Sequence, residues 1–282
     1  MNTLQFAVAR AALAILAAGA FGATALAQGQ APEFTPQVGQ AGKDVIWVPT
    51  PEELVERMLR MAQTTPNDFV VDLGSGDGRI AIAAAKKFGA RSLGVEFNPD
   101  MVELSNRNAA KAGVNGKAQF KRADIFDTDF SQATVVTMYL LPGLNLKLRP
   151  KLLEMKPGTR IVSHQFSMDD WQADEMTNLE GRRAYLWIVP AQVHGAWRIQ
   201  SGGDTFDLTL EQRYQMIDGN VRLGAINAGL REPRLQGDRI GFAFVDNAGV
   251  RREFSGRVNG NAMAGTVKSD AAAEAQWTAA RR

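Results

Sequence analysis

Cysteine is absent from the 282 residues. Thiol nucleophiles, zinc–thiolate centres and disulfides are therefore excluded, and the chain suits an oxidising compartment in that it has no thiol to mispair. Histidine is scarce, with only His164 and His194. They lie far apart among scattered acids, so no metal site is expected. Charge of one sign is nowhere concentrated: 32 Lys and Arg are mixed with 30 Asp and Glu for a net charge of +2. That pattern carries no nucleic-acid footprint. The N-terminal apolar run, residues 11–22, is rich in Ala and Gly and falls short of the ~20 strongly apolar residues that a membrane crossing needs.

What is present there has another meaning. Arg10 precedes the run, no Arg-Arg pair precedes it, and Ala25-Leu26-Ala27 has the small-x-small form that signal peptidases accept. Residues 1–27 read as a signal peptide, with export to the bacterial periplasm as the expectation. The alternative is membrane association through an uncleaved N-terminal segment. Residues 28–43, rich in Gly, Gln and Pro, read as a disordered lead-in.

From residue 44 to 191 the pattern alternates strands and helices, which predicts a Rossmann-like, mostly parallel sheet with helices on both faces. Thr50-Pro51-Glu52-Glu53 reads as a capping box opening a helix. A buried strand, Phe69-Val70-Val71-Asp72-Leu73, runs into Gly74-Ser75-Gly76-Asp77-Gly78 and a further helix. A second strand ends at Glu96, and Phe97-Asn98-Pro99 leads into the next helix. Glycines let the backbone turn sharply and approach a ligand, and a carboxylate ending the second strand can accept both hydroxyls of a ribose. Asp72 and Asp77 would repel a pyrophosphate but suit a ligand carrying an ammonium and a sulfonium. This favours S-adenosylmethionine over NAD. Asp124 follows a third strand, placed to bond an adenine amino group while Ile125 packs on the ring.

VVDLGSGDGRI (70–80) resembles motif I of the class I S-adenosylmethionine-dependent methyltransferases. WVPTPEELVERML (47–59), LGVEFNPDMVELS (93–105), TMYLLPGLN (137–145), KPGTRIVSHQF (156–166) and AYLWIVP (184–190) narrow the resemblance. Together they look like the family of lysine methyltransferases acting on the c subunit of ATP synthase and the adenine nucleotide translocase, with its bacterial relatives. The resemblance spans residues 44–190 and implies S-adenosylmethionine as methyl donor, with no metal. It implies that Asp72, Gly74 and Gly76 surround the methionine part of the donor, with Ser75 and Asp77 in the same turn. Glu96 would hold the ribose, and Asp124 and Ile125 the adenine, with Phe97 and Asn98 also binding the donor. Pro49 and Thr50 would form a flap. Tyr139, as the candidate catalytic residue, with Leu140, Leu141 and Pro142 would face the methyl acceptor, and His164 would lie on the same side. Gln165 stands where mitochondrial members carry Arg, which puts the acceptor's identity in doubt.

Base-amine methyltransferases carry [DN]-P-P-[YFW] after the fourth strand, and Tyr139-Leu140-Leu141-Pro142 lacks it. The acceptor implied is an amine, foremost a protein lysine, with a small molecule as the second enzymatic reading. A non-catalytic exported binding module is the third. Residues 192–282 alternate apolar and polar between turns such as Asp218-Gly219-Asn220 and Asn259-Gly260-Asn261, which predicts a small antiparallel β-barrel or sandwich of unassigned role, separable from the rest.

Overall fold

The computed structural model describes residues 33–282, Asn247 excepted. The expected signal peptide lies outside the described residues. Along the chain run α1 (Glu52–Met61), β1 (Phe69–Leu73), α2 (Arg79–Phe88), β2 (Arg91–Glu96), α3 (Pro99–Lys111), β3 (Ala118–Arg122), β4 (Val135–Met138), α4 (Pro142–Leu153), β5 (Arg160–His164), β6 (Glu175–Leu179) and β7 (Arg182–Ile188). These strands form one sheet in the order β3-β2-β1-β4-β5-β7-β6. The first five are parallel, and β7 and β6 run antiparallel at one edge.

Residues of one strand alternate between two cores. Val71, Val136 and Ile161 pack with Leu148 and Leu152 of α4 on one face, while Val70, Val135 and Val162 pack against Leu54, Met58 and Leu59 of α1 on the other. A strand covered on both faces needs apolar side chains at every position, hence the unbroken Val runs. The strand order reverses between β1 and β4, and a crevice opens there at the carboxyl ends.

A second sheet follows, made of β8 (Gly195–Ser201), β9 (Asp204–Arg213), β10 (Met216–Leu223), β11 (Ile226–Gly229), β12 (Arg231–Gln236), β13 (Arg239–Val245), β14 (Arg251–Asn259), β15 (Ala262–Ser269) and β16 (Ala272–Arg281). Its order is β11-β10-β9-β8-β16-β15-β14-β13-β12. The edge strand β12 returns against β10, so the antiparallel sheet is a nearly closed barrel. Trp197, Phe206, Phe242, Phe244, Phe254 and Trp277 fill its interior, with Phe242 stacked on Phe254 at 4.9 Å.

Three expectations need correction. Residues 37–43 of the expected disordered lead-in are folded: Gly39 N–H donates to Trp47 O, Trp47 N–H to Gln40 O and Gly42 N–H to Val45 O, each at 2.9 Å. This hairpin lies over the crevice. Thr50 does not cap α1. The cap position is Pro51, with no side-chain hydrogen bond, and the Thr50 hydroxyl turns inward instead. Asp218-Gly219-Asn220 is no turn but part of β10, where a Cβ on Gly219 would meet Thr209 O at 2.0 Å. Close passage of the neighbouring strand explains that glycine.

The barrel also closes onto the first sheet. Tyr214, in the β9–β10 turn, stacks on Trp171 with centroids 5.8 Å apart, and its hydroxyl donates to Asp170. Trp171 Nε1–H donates to Gln215 Oε1 at 3.0 Å. Trp171 and Trp187 are fully buried, as core.

Candidate active site

A cavity of about 280 Å³ occupies the crevice. Its floor is the glycine turn after β1, where Gly74, Gly76 and Gly78 have φ of 75°, 55° and 82°. These are conformations that side chains rarely adopt. Above Gly76 lies the indole of Trp47, whose Nε1 would be 2.8 Å from a Cβ there. Below, Ser105 Oγ donates to Gly76 O at 2.8 Å and Asn108 Nδ2 to Asp77 O at 3.0 Å, so α3 holds the turn from the other side.

Carboxylates stand around this floor. Asp72, buried at the end of β1, accepts a hydrogen bond from Thr137 Oγ1 at 2.7 Å. Burial pushes its pKa up to about 7 against that bond, with the charges of Asp77 and Glu96 adding to the rise. Glu96 accepts from Gly76 N–H through Oε2 and from Asn98 N–H through Oε1, both at 2.9 Å. Each oxygen has a further lone pair for a ligand hydroxyl. Asp77 is engaged otherwise: Arg79 donates to both of its oxygens, at 3.0 and 2.6 Å, and to Thr50 O at 2.9 Å. Asp77 therefore meets the cavity as the partner of Arg79 in an ion pair, and not as an unpartnered carboxylate. Asp124 accepts from Phe126 N–H at 2.9 Å and from Lys43 of the hairpin, and Lys43 holds its pKa below the usual carboxylate range.

At the far end are Tyr139, Leu140, Leu141 and Phe166. The Tyr139 ring lies 3.8 Å, centroid to centroid, from that of His164. Neither His164 nor Pro142 lines the cavity: His164 is buried behind Tyr139, and Pro142 begins α4. Burial, helped by the charge of Arg182, depresses the His164 imidazole to about 4, and burial raises the Tyr139 phenol. Both are uncharged near neutral pH. The remaining residues singled out from the sequence meet at the cavity wall: Pro49, Thr50, Ser75, Phe97, Asn98 and Ile125. Sequence reasoning missed Trp47, Lys43 and Arg79. The two-carboxylate motif hinted at a nearby cation, but nothing in the spacing placed Trp47 on Gly76 or Lys43 on Asp124.

The floor fits a nucleoside carrying a sulfonium. Glycines leave room where a Cβ would intrude, acids dominate the wall, and Glu96 is held with lone pairs available. Among the described residues no cluster of three or more potential metal ligands occurs.

Comparison with known proteins agrees. A model of the ANTKMT methyltransferase domain matches residues 72–175. A protein-lysine N-methyltransferase of Saccharolobus islandicus (strain REY15A) is 44% identical over 151 residues, 51% of this chain and 94% of that protein. The lysine N-methyltransferase of Mus musculus that is named for the c subunit of ATP synthase is 38% identical over 46% of this chain, which spans 53% of the mouse protein. A crystal structure described as an RNA methyltransferase from Salinibacter ruber, in complex with S-adenosyl-L-homocysteine, is 49% identical with a TM-score of 0.51, covering 52% of this chain and 96% of that one. From strand order, glycine turn, acidic wall and these relatives, the chain belongs to the ANTKMT family of S-adenosylmethionine-dependent methyltransferases.

Proposed function

We propose that this chain methylates lysine amines of proteins. The observation that carries this reading is the rim of the cavity. The exposed large apolar side chains Ile46, Val48, Phe97 and Leu141 all belong to the cavity wall, and exposed Val38 lies on the same hairpin. An apolar collar around a deep slot suits a macromolecular acceptor that inserts one long side chain, because patches of this kind mark interaction surfaces. The names of the Saccharolobus and mouse relatives support the same acceptor.

Asp72, Gly74, Ser75 and Gly76 would hold the methionine end of the donor, Glu96 with Phe97 and Asn98 the ribose, and Asp124 with Ile125 the adenine. Asp124 would exchange Lys43 for the adenine amino group. S-adenosylmethionine supplies an electrophilic methyl group on a sulfonium. The chain has to bring a neutral amine into line with it. The uncharged lining of Tyr139, Phe166 and Leu144 serves that need, since an apolar environment favours the neutral form of an amine. Export to the periplasm, read from residues 1–27, is part of the same proposal, and amino-terminal sequencing of secreted protein should start near Gln28.

The test uses full chain and S-adenosylmethionine with three probes: a peptide bearing one lysine between leucines, a short single-stranded RNA, and free lysine. Mass spectrometry should find methyl groups on the peptide lysine. Incorporation into RNA, or into free lysine alone, refutes the acceptor assignment. Glu96→Ala should weaken donor binding at least ~10-fold by calorimetry, because charge-assisted bonds contribute roughly 1.5–3 kcal/mol.

A further inference from the structure

Thr50 is joined to both ends of the cavity at once. Its carbonyl accepts from Arg79, which is itself paired with Asp77 in the glycine turn. Its hydroxyl lies 3.0 Å from Nδ1 of His164, and both side chains are buried. The imidazole is packed in turn against Tyr139, whose ring lies on it at an interplanar angle of 35°.

The backbone after His164 is fixed with unusual geometry. Gln165 has φ of 68°, and Phe166 N–H donates to His164 O at 2.8 Å, closing a tight γ-type turn. Such a turn is strained for a residue with a side chain. It is held by β7: Gln165 N–H donates to Arg183 O at 2.6 Å, and Arg183 N–H donates to Gln165 Oε1 at 3.1 Å. Asn145 donates to Phe166 O and Ser167 O from α4. Strain is retained here where a plain loop would connect β5 to β6, which indicates that the placement of His164 matters.

We propose that His164 is a positioning residue for methyl transfer: bonded to Thr50 and packed on Tyr139, it ties the attitude of the Tyr139 ring to the seating of residues 47–50 over the donor. The inference rests on the reading above that Tyr139 faces the acceptor. His164 does not line the cavity, so it acts through Tyr139 and touches no reacting atom. It is uncharged at neutral pH, which suits a role by shape and hydrogen bond.

Thr50→Val removes the hydrogen bond and keeps the side-chain shape. The amide of His164→Asn lies near the former Nδ1, whereas that of His164→Gln lies near the former Nε2. With the single-lysine peptide as probe, Thr50→Val and His164→Gln should lower kcat ~10-fold or more while KM for the peptide changes little, and His164→Asn should retain most of kcat. Full activity in Thr50→Val overturns the proposal. So does an equal loss in His164→Asn and His164→Gln, which would assign the role to Nε2. A second readout needs no acceptor. With two histidines in the chain, the imidazole nitrogen spectrum at pH 7 should show His164 as one tautomer in the parent and as an exchanging mixture in Thr50→Val. An unchanged spectrum refutes the coupling. If the parent leaves the peptide unmethylated, the lysine reading fails, and the spectrum alone decides the link from Thr50 to His164.

Discussion

Asp72, walled in at the end of β1, holds its proton to about pH 7 because burial disfavours the charge. In the unfolded chain an aspartate titrates near its ordinary value of ~3.9. The native state therefore binds more protons between these two points. Whatever stability the group contributes is complete below the unfolded value and is lost as pH rises through the native one. Asp72→Asn, which keeps an acceptor for Thr137, should melt like the parent near pH 4 and higher than the parent at pH 8. The gain is bounded by ~4 kcal/mol, since each tenfold change in proton affinity is worth ~1.4 kcal/mol. Equal melting temperatures at both pH values would mean that water reaches the carboxylate. At this scale the sequence was legible where spacing alone carries the meaning. Gly74, Gly76, Glu96 and Asp124 do reach one cavity. Partners chosen in space were not legible: Arg79 for Asp77, Lys43 for Asp124, His164 for Thr50.

Elements were readable in proportion to how local their cause is. The helix α2 (Arg79–Phe88) directly follows the glycine turn, where the sequence placed a helix. Thr50 failed as a cap because a buried histidine competes for its hydroxyl, a contact separated by 114 residues. The strands β15 and β16 were not legible since AMAGTVKS and AAEAQWTAAR are poor in branched residues. They are strands because Met263, Val267 and Trp277 point into the barrel on alternate positions. One contact between elements is directly testable. Gly76→Ala adds a Cβ against Trp47 at a φ of 55°. The left-handed conformation alone costs ~1–2 kcal/mol, and the indole must also shift. The variant should melt lower and bind S-adenosylmethionine weakly. In a Trp47→Ala background the added loss of stability should shrink towards the backbone cost, as a double-mutant cycle would measure. An unchanged increment would mean that the indole and the turn are uncoupled.

For the whole molecule, the change from mixed to alternating patterning near residue 193 marks where one sheet ends and the other begins. Independence of the two parts, expected from that change, is another matter. Tyr214 joins the apolar cluster around Trp171 and Trp187, and Ala191 N–H donates to Gly237 O at 2.8 Å. A chain ending at Ala191 would lose the cover of Trp171 and the partner of its indole N–H. A large aromatic side chain buries ~150–250 Å², so at ~25 cal/mol per Å² even partial exposure costs ~1–3 kcal/mol. Truncation at Ala191 should lower the melting temperature or the solubility of the remainder, and Tyr214→Ala in the full chain should reproduce part of the loss. A truncated chain as stable as the parent would show that the barrel is an independent appendage.

The distribution of indoles has a consequence of its own. Of the five tryptophans, Trp171, Trp187, Trp197 and Trp277 are at most 1% exposed, and Trp47 alone sits part-buried on the glycine turn. The four buried rings are shielded from solvent and meet it only on unfolding. Trp47 is the one indole at the cavity wall, so its emission should shift as S-adenosylmethionine is titrated in, and an unchanged spectrum at saturation would place the donor away from it.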